Sequence, residues 1–282
     1  MARPGCTCGS ASTAATSAVA TPHRSDTPRP TSASRPTRSC AVSSPASPGD
    51  GVSSTSSSAS VTSVTSPAPI SLVLASASPA RKKLLHAAGI DPSVVVSGVD
   101  EAAVLDAART TYGELAAEDI ALLLARAKAE DVAAQIDHAV IVGCDSVLEL
   151  DGEVHGKPAS AAEAVARWQR MRGTAGVLHT GHWVVDTRDS DLGGTGATLG
   201  ATASTTVHFA RLTDAEIEAY VASGEPLRVA GAFTLDGLGG PYVSAIEGDP
   251  SNVVGLSLPL LRELLGELGL LWHQLRASGI PT

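Results

Sequence analysis

Leu72-Val73-Leu74-Ala75-Ser76-Ala77-Ser78-Pro79-Ala80-Arg81-Lys82-Lys83-Leu84-Leu85 reads as a strand, a turn and the start of a helix. The leucine and valine run is short and continuous, the pattern of a buried strand. Ser-x-Ser-Pro then breaks it: Ser78 can cap a helix, and Pro79 suits the first helical position. Small side chains and free backbone N–H groups meet at that helix end, where the dipole favours an anion. Arg81 and Lys82 fall in the first turn, an unfavourable place for cations in an isolated helix. Their presence predicts a polyanionic ligand. The turn is therefore a candidate phosphate site, although it follows neither the G-x-x-x-x-G-K-[ST] nor the G-x-G-x-x-G pattern.

The chain around this turn has 282 residues and divides by composition. Residues 1–69 are mostly Ser, Thr, Ala and Pro, with no aromatic residue and no apolar periodicity. Such a segment cannot bury enough surface to offset its chain entropy, so it is expected to be a disordered tail. Met1-Ala2-Arg3-Pro4-Gly5-Cys6 leads into no apolar stretch of the kind a signal peptide needs, while the Arg, Ser and Thr content admits a transit peptide or a dispensable extension. Residues 70–275 form the expected folded domain, and 276–282 a C-terminal tail. Five arginines and two aspartates give the N-terminal tail a charge of +3, which leaves −12 on the remainder of a chain whose net charge is −9. An acidic body argues against nucleic acid as a partner, so a phosphate site must be a local basic pocket. No apolar run suits a membrane span. Cys6, Cys8 and Cys40 lie in the tail and only Cys144 in the body, a pattern that fits a reducing, cytoplasmic setting.

Strand and helix signals alternate through the body. Ser93–Ser97 reads as a strand, residues 116 to about 136 as a helix with Leu122, Leu123, Ala125, Ala129 and Val132 as its apolar stripe, and Ala139–Gly143 as a short strand ending at Cys144-Asp145-Ser146. Val147–Leu150 and Glu153–Val154 flank Asp151-Gly152, a two-residue hairpin signal. Ser160-Ala161-Ala162-Glu163 and Thr213-Asp214-Ala215-Glu216 each open a capped helix. Strands over 177–186 and 202–211 are expected to pair across a mobile glycine-rich loop, followed by a loop-rich run over 225–255 and an amphipathic helix over 259–268. The class is α/β, a mixed sheet with helices packed on it.

Four polar clusters fall where strands are expected to end, which is where open α/β sheets place ligands. They are the Ser76/Ser78/Arg81/Lys82 turn, Asp100-Glu101, Asp145, and Lys157 in Gly156-Lys157-Pro158. Each has an ordinary structural reading: a helix start, solvated charge, a turn cap, a surface lysine. Gathered at one sheet edge, they instead suit a metal-bound polyphosphate, with carboxylates to hold Mg²⁺ or Mn²⁺ and to deprotonate water, and cations to neutralise phosphates. His179 and His182, three apart on a strand, face opposite sides and make a poor ligand pair. Cys144 reads as buried filler, and no G-x-S-x-G elbow supports serine chemistry.

Taken in order, the motifs resemble the Maf family of nucleoside triphosphate pyrophosphatases from about Leu72 to Leu265. The resemblance rests on Leu74-Ala75-Ser76-Ala77-Ser78-Pro79-Ala80-Arg81, on Val99-Asp100-Glu101 with Glu101 23 residues after Ser78, and on Ala127-Lys128-Ala129. It continues through Gly143-Cys144-Asp145-Ser146, Gly156-Lys157-Pro158, Tyr220–Pro226, Ala230-Gly231-Ala232-Phe233 and Asn252-Val253-Val254-Gly255-Leu256. It implies an elongated mixed sheet with a deep cleft, similar to inosine triphosphatases, and hydrolysis of an NTP to NMP and pyrophosphate. In that pattern Asp145 accepts the proton of the attacking water and Glu101 assists through a divalent cation, Mg²⁺ or Mn²⁺, held by both. Arg81, Lys128 and Lys157 hold the triphosphate, with Ser76 and Ser78 adding neutral donors. The family analogy alone extends to a homodimer. It also brings the rival reading, a non-catalytic nucleotide-binding regulator of septum formation.

Three positions depart from the family pattern. Ala80 stands where one branch has a second arginine and another a tryptophan; Ser146 replaces threonine or glutamine; Asp236 stands where the pyrimidine branch has glutamine. A carboxylate at 236 accepts hydrogen bonds from a guanine edge better than it meets the carbonyls of uracil or thymine. The expectation is a preference shifted away from strict dTTP and UTP use.

Overall fold

The first strand, β1, spans Leu72–Ala75 and is buried along its whole length. It turns through Ser76–Ser78 into α1, Pro79–Ala87, where the Ser78 hydroxyl accepts the Arg81 backbone N–H at 3.5 Å. The computed structural model describes residues 70–276, so the readings of 1–69 as a disordered tail and of nearly all of 276–282 as a C-terminal tail fall outside the described residues. β1 lies parallel to both its neighbours, β2 (Ser93–Val94) and β3 (Val140–Leu150). β4 (Glu153–His155), β5 (Ala175–Asp186), β6 (Thr198–Phe209) and β7 (Val243–Glu247) extend it by antiparallel pairing. The result is a seven-stranded mixed sheet of order β2-β1-β3-β5-β6-β7, with β4 attached to β3.

Several elements differ from the reading of the sequence. β2 covers two residues rather than five; it is an edge strand with both side chains exposed, and beyond it the Val95 N–H still donates to the Leu74 carbonyl at 3.1 Å. β3 is one continuous strand of 11 residues where two shorter ones were expected, and Asp145 therefore lies in mid-strand. The hairpin after it forms as read, with Asp151 at φ 53° and Gly152 at φ 78°, the left-handed pair that a two-residue turn needs. A helix that was not foreseen, α2, runs Glu101–Tyr112 and is followed by α3, Ala117–Ala133. The glycine-rich connection is shorter than read, since Thr198–Gly200 belong to β6. The Asp186 carboxylate ties its start by accepting from Arg188 and Thr195. Helices α4 (Ala161–Met171), α5 (Asp214–Ala222), α6 (Pro250–Val254) and α7 (Leu258–Glu267) complete the fold.

α3 covers one face of the sheet through Ala117, Ala121, Ala125 and Ala129, four residues apart and all buried. Leu122 and Leu123, assigned to its apolar stripe, are only half-buried; Ile120 and Leu124 take their place. The reason is steric. β3 and β5 present Gly143 and Gly181 to the helix, and a Cβ on either would come within 2.3 Å of a backbone oxygen of α3. Only small side chains permit that approach.

The opposite face carries two apolar clusters. Leu74, Leu85, Leu256 and Leu261 pack around α1 and α7, while Trp168, Phe209, Ile217 and Phe233 pack around α4 and α5. Buried polar residues lie between them, including Thr180, His182, Thr205 and Asn252. Asn252 donates to the Leu178 and Ala203 carbonyls and to the Thr205 hydroxyl at 3.0–3.2 Å, so the α6 turn is fastened to both β5 and β6.

His182 is fastened in a way that fixes its protonation. Its Nδ1 faces the Thr180 carbonyl at 3.0 Å and must donate; its Nε2 accepts the Ser257 N–H at 2.8 Å. Both bonds require the neutral ring. Burial, helped by the Arg81 charge, pushes its pKa down to about 4. The ordinary value is retained in the unfolded chain, so the unfolded state takes up the proton first as pH falls. Stability contributed by neutral His182 is then complete above pH ~6.5 and is lost towards pH ~4, by roughly 3 kcal/mol in total. Urea titrations between pH 7 and 4 should show this slope. It should flatten in His182→Gln, whose amide oxygen accepts from Ser257 without titrating.

Candidate active site

The centre of the site is a gap in strand pairing. β1 pairs with β3 as far as Gly143, opposite Ala75, and β4 begins pairing at Leu148 on the edge that β1 leaves. Cys144 to Val147 thus have β5 on one side and no strand on the other. A cleft of about 400 Å³ opens there, lined by Asp145, Ser146 and Val147 of β3, Glu101, Leu105 and Arg109 of α2, Ile120 and Leu124 of α3, and Gly156 and Lys157 after β4. Asp145 is accessible although it lies in mid-strand, because its neighbouring strand has ended.

Side chains alternate along β3, so Gly143 and Asp145 point to the α3 face. The close approach that Gly143 allows brings Lys128 of α3 over Asp145, with Nζ 2.5 Å from Asp145 Oδ1. The same ammonium lies 2.7 Å from Glu101 Oε1. Glu101 is the first residue of α2, and its position is set by Asp100, whose carboxylate caps the helix by accepting the Ala103 N–H at 3.1 Å. Lys128 and Asp145 are largely buried, at 12% and 14% side-chain exposure, and Glu101 is half-exposed at 50%. One cation therefore holds two carboxylates at the mouth of a cleft, with a net charge of −1. Among the described residues no group of three or more His, Cys, Asp or Glu is arranged to hold a metal. Two carboxylate oxygens already bridged by a cation are nonetheless a donor set that fits Mg²⁺ or Mn²⁺ when phosphate and water complete the coordination.

The Ser-Pro turn is tied into the protein through Arg81. Arg81 is buried, and four of its five N–H groups are committed to the protein. Nε donates to the Gly255 carbonyl at 2.6 Å, Nη1 to Cys144 O and Ser76 Oγ at 2.8 and 3.0 Å, and Nη2 to Ser146 Oγ at 3.1 Å. Gly255, at φ 120°, adopts a backbone that favours glycine and so can offer that carbonyl. Ser76 Oγ also accepts the Ser78 N–H, and Ser146 Oγ bonds Thr180 Oγ1 at 2.9 Å. Ser76, Ser78, Arg81 and Ser146 are thus one internal network that closes the floor behind Asp145, with a single Arg81 donor left over.

Lys157 is presented by a turn fixed at both ends. The Gly156 carbonyl accepts from Arg167 Nη1 at 2.6 Å and from the Gly231 N–H at 3.1 Å. Glu163 accepts the Ala159 N–H at 2.8 Å and pairs with Arg167 at 2.6 Å. Lys157 itself makes no ion pair among the described residues and stands exposed in the cleft wall. Asp236 does not line this cleft; it lies beside α1, 3.9 Å from Lys83, three residues along the helix from Ala80. Cys144 points away from Asp145 into the apolar cluster, and burial pushes its thiol up to about 11, which suits filler rather than a nucleophile. His179 and His182 have separate partners, His179 bonding Glu149 and Ser204.

Arg109, Arg167 and Thr180 were not found from the sequence. Arg109 falls on the unforeseen α2, which Asp100 as cap and Gly113 as terminator could have revealed. Arg167 of α4 is buried, which its charge alone does not suggest.

Residues 71–268 match the family model described as Maf-like protein. A protein of Salinispora tropica named nucleoside triphosphate pyrophosphatase is 57% identical over 219 residues, covering 76% of this chain and 91% of its own length. Proteins of the same name from Streptomyces coelicolor and Gloeothece citriformis are 58% and 51% identical, over 70% and 71% of this chain and 90% and 95% of their own. The chain belongs to the Maf-like protein family.

The contact between α3 and Gly143 makes a direct prediction. Gly143→Ala places a methyl against the Ala125 carbonyl and Ala129, so α3 must lift and carry Lys128 from Asp145. The expected cost is about 1–3 kcal/mol in denaturant titration, together with loss of activity. A variant as stable as the parent would contradict this packing.

Proposed function

We propose that the chain hydrolyses nucleoside triphosphates to the monophosphate and pyrophosphate, in the cytoplasm. The observation that carries this reading is the Glu101–Lys128–Asp145 bridge at the open edge of β3, with Lys157 in the same cleft. The names borne by the relatives support it. Asp145 takes a proton from water as the water oxygen bonds to the α-phosphorus. The bond from that phosphorus to the oxygen bridging to the β-phosphorus breaks, and pyrophosphate leaves. Lys128 holds and aims the Asp145 carboxylate, and shares its remaining donor with the incoming phosphates. Lys157 draws the negative chain into the cleft. Glu101 and Asp145 are the residues that would hold a divalent cation, which when bound neutralises phosphate charge and acidifies water. Arg81 acts through Ser76, Ser146 and the Cys144 carbonyl as the clasp behind β3. Such a site works mainly by positioning and charge neutralisation.

Asp145→Asn keeps the hydrogen-bonding shape and removes the base. Pyrophosphate release from a panel of dTTP, UTP, CTP, GTP, 7-methyl-GTP and ATP, with Mg²⁺ or Mn²⁺, should fall about a hundredfold or more in this variant. Tight nucleotide binding without pyrophosphate from any of them would favour the regulator and end the hydrolytic reading.

The base is read, in this proposal, on the side of α1 that carries Ala80 and faces Asp236. A small residue at 80 and a carboxylate at 236 suit a donor-bearing purine edge better than a pyrimidine carbonyl. Asp236→Gln should therefore raise turnover of dTTP and UTP relative to GTP and 7-methyl-GTP. An unchanged ratio would remove Asp236 from base selection.

A further inference from the structure

The cleft contains a cation that the mechanism leaves unused. Arg109 lies on α2 two turns beyond Glu101, and Glu101, Leu105 and Arg109 recur at four-residue intervals, so all three face the cleft. Its only ion pair among the described residues is with Asp106, at 3.7 Å between half-exposed and exposed side chains. That is longer than a hydrogen bond and worth little at a surface, so no described residue occupies the guanidinium donors.

The charge pattern along the cleft gives this arginine a task. At the Asp145 end, Lys128 is held by two carboxylates and Arg81 by protein acceptors. Neither can neutralise the far phosphates of a bound triphosphate. Lys157 and Arg109 are the cleft cations not held in this way. Eight helical residues place the Arg109 backbone about 12 Å from that of Glu101 along α2. The triphosphate chain and a long arginine side chain together cover that span. Leu105 and Leu124 line the intervening wall, and their low polarity strengthens a charge–charge contact made beside them. A guanidinium fork also matches paired phosphate oxygens better than an ammonium does.

We propose that Arg109 is a substrate-binding residue that grips the β- and γ-phosphates of the nucleotide and then the pyrophosphate product. This inference rests on the pyrophosphatase reading. Its test is product inhibition of NTP hydrolysis by the full chain, with inorganic pyrophosphate and the matching NMP added separately. Arg109→Gln should weaken inhibition by pyrophosphate about tenfold or more, the loss of one charge-assisted contact, and raise KM for the triphosphate. Inhibition by NMP should stay as it was, and Arg109→Lys should recover part of the pyrophosphate effect. Thermal melting of both variants should match the parent, since the side chain is half-exposed. Unchanged pyrophosphate inhibition in Arg109→Gln overturns the inference, as does a change confined to NMP, which would put the nucleoside there instead. Failure of the unaltered chain to release pyrophosphate from any triphosphate would sink the pyrophosphatase reading first, and is distinguishable because it needs no variant.

Discussion

The bridge from Lys128 to Glu101 and Asp145 is the interaction on which the site depends. Two carboxylates held close together repel, and a largely buried one such as Asp145 loses hydration as well. Lys128 offsets both costs, but only if α3 lies against the sheet. That requirement reaches far into the sequence: glycine at 143 and 181, alanine at 121, 125 and 129, and a capped start to α2 that delivers Glu101. Replacing any of these would alter the chemistry from a position that touches no substrate.

The interruption of strand pairing is the second requirement. Had β1 continued beyond Ala75, the edge of β3 at Cys144 to Val147 would be covered by backbone. The Ser-x-Ser-Pro sequence stops β1, and the helix that follows returns Arg81 to the Cys144 carbonyl, buried on the unpaired edge of β3. The sheet edge is thereby satisfied without being closed. On the opposite face, the same polar seam of Arg81, Thr180, His182 and Asn252 separates the two apolar clusters and ties α6 and the start of α7 to β5. A buried network of this kind is costly if any member is lost, which is why the neutral state of His182 matters to stability.

Local rules made much of the fold readable. β1, the Ser78 cap with Pro79, the Asp151-Gly152 hairpin, the start of α3 and the span of α7 each follow from a few adjacent residues. What escaped was decided at long range. Asp145 was read at a strand end because Cys144-Asp145-Ser146 is locally polar, whereas the true end belongs to its neighbour β1. The buried stripe of α3 runs through alanines instead of Leu122 and Leu123, because glycines on two strands set the distance. Arg81 in a first helical turn reads as a ligand-facing cation, and only the fold reveals the carbonyl of Gly255, far along the chain, that claims its Nε.

The position of bond cleavage is the most direct test of the catalytic assignment. Hydrolysis of a triphosphate by the unaltered chain in water enriched in heavy oxygen, with mass analysis of both products, locates the atom that water attacks. Activation of water by Asp145 at the α-phosphorus predicts that the label enters the nucleoside monophosphate and is absent from pyrophosphate. Label in pyrophosphate, or release of inorganic phosphate in place of pyrophosphate, would mean attack at the β- or γ-phosphorus and would contradict the arrangement derived from Glu101, Lys128 and Asp145.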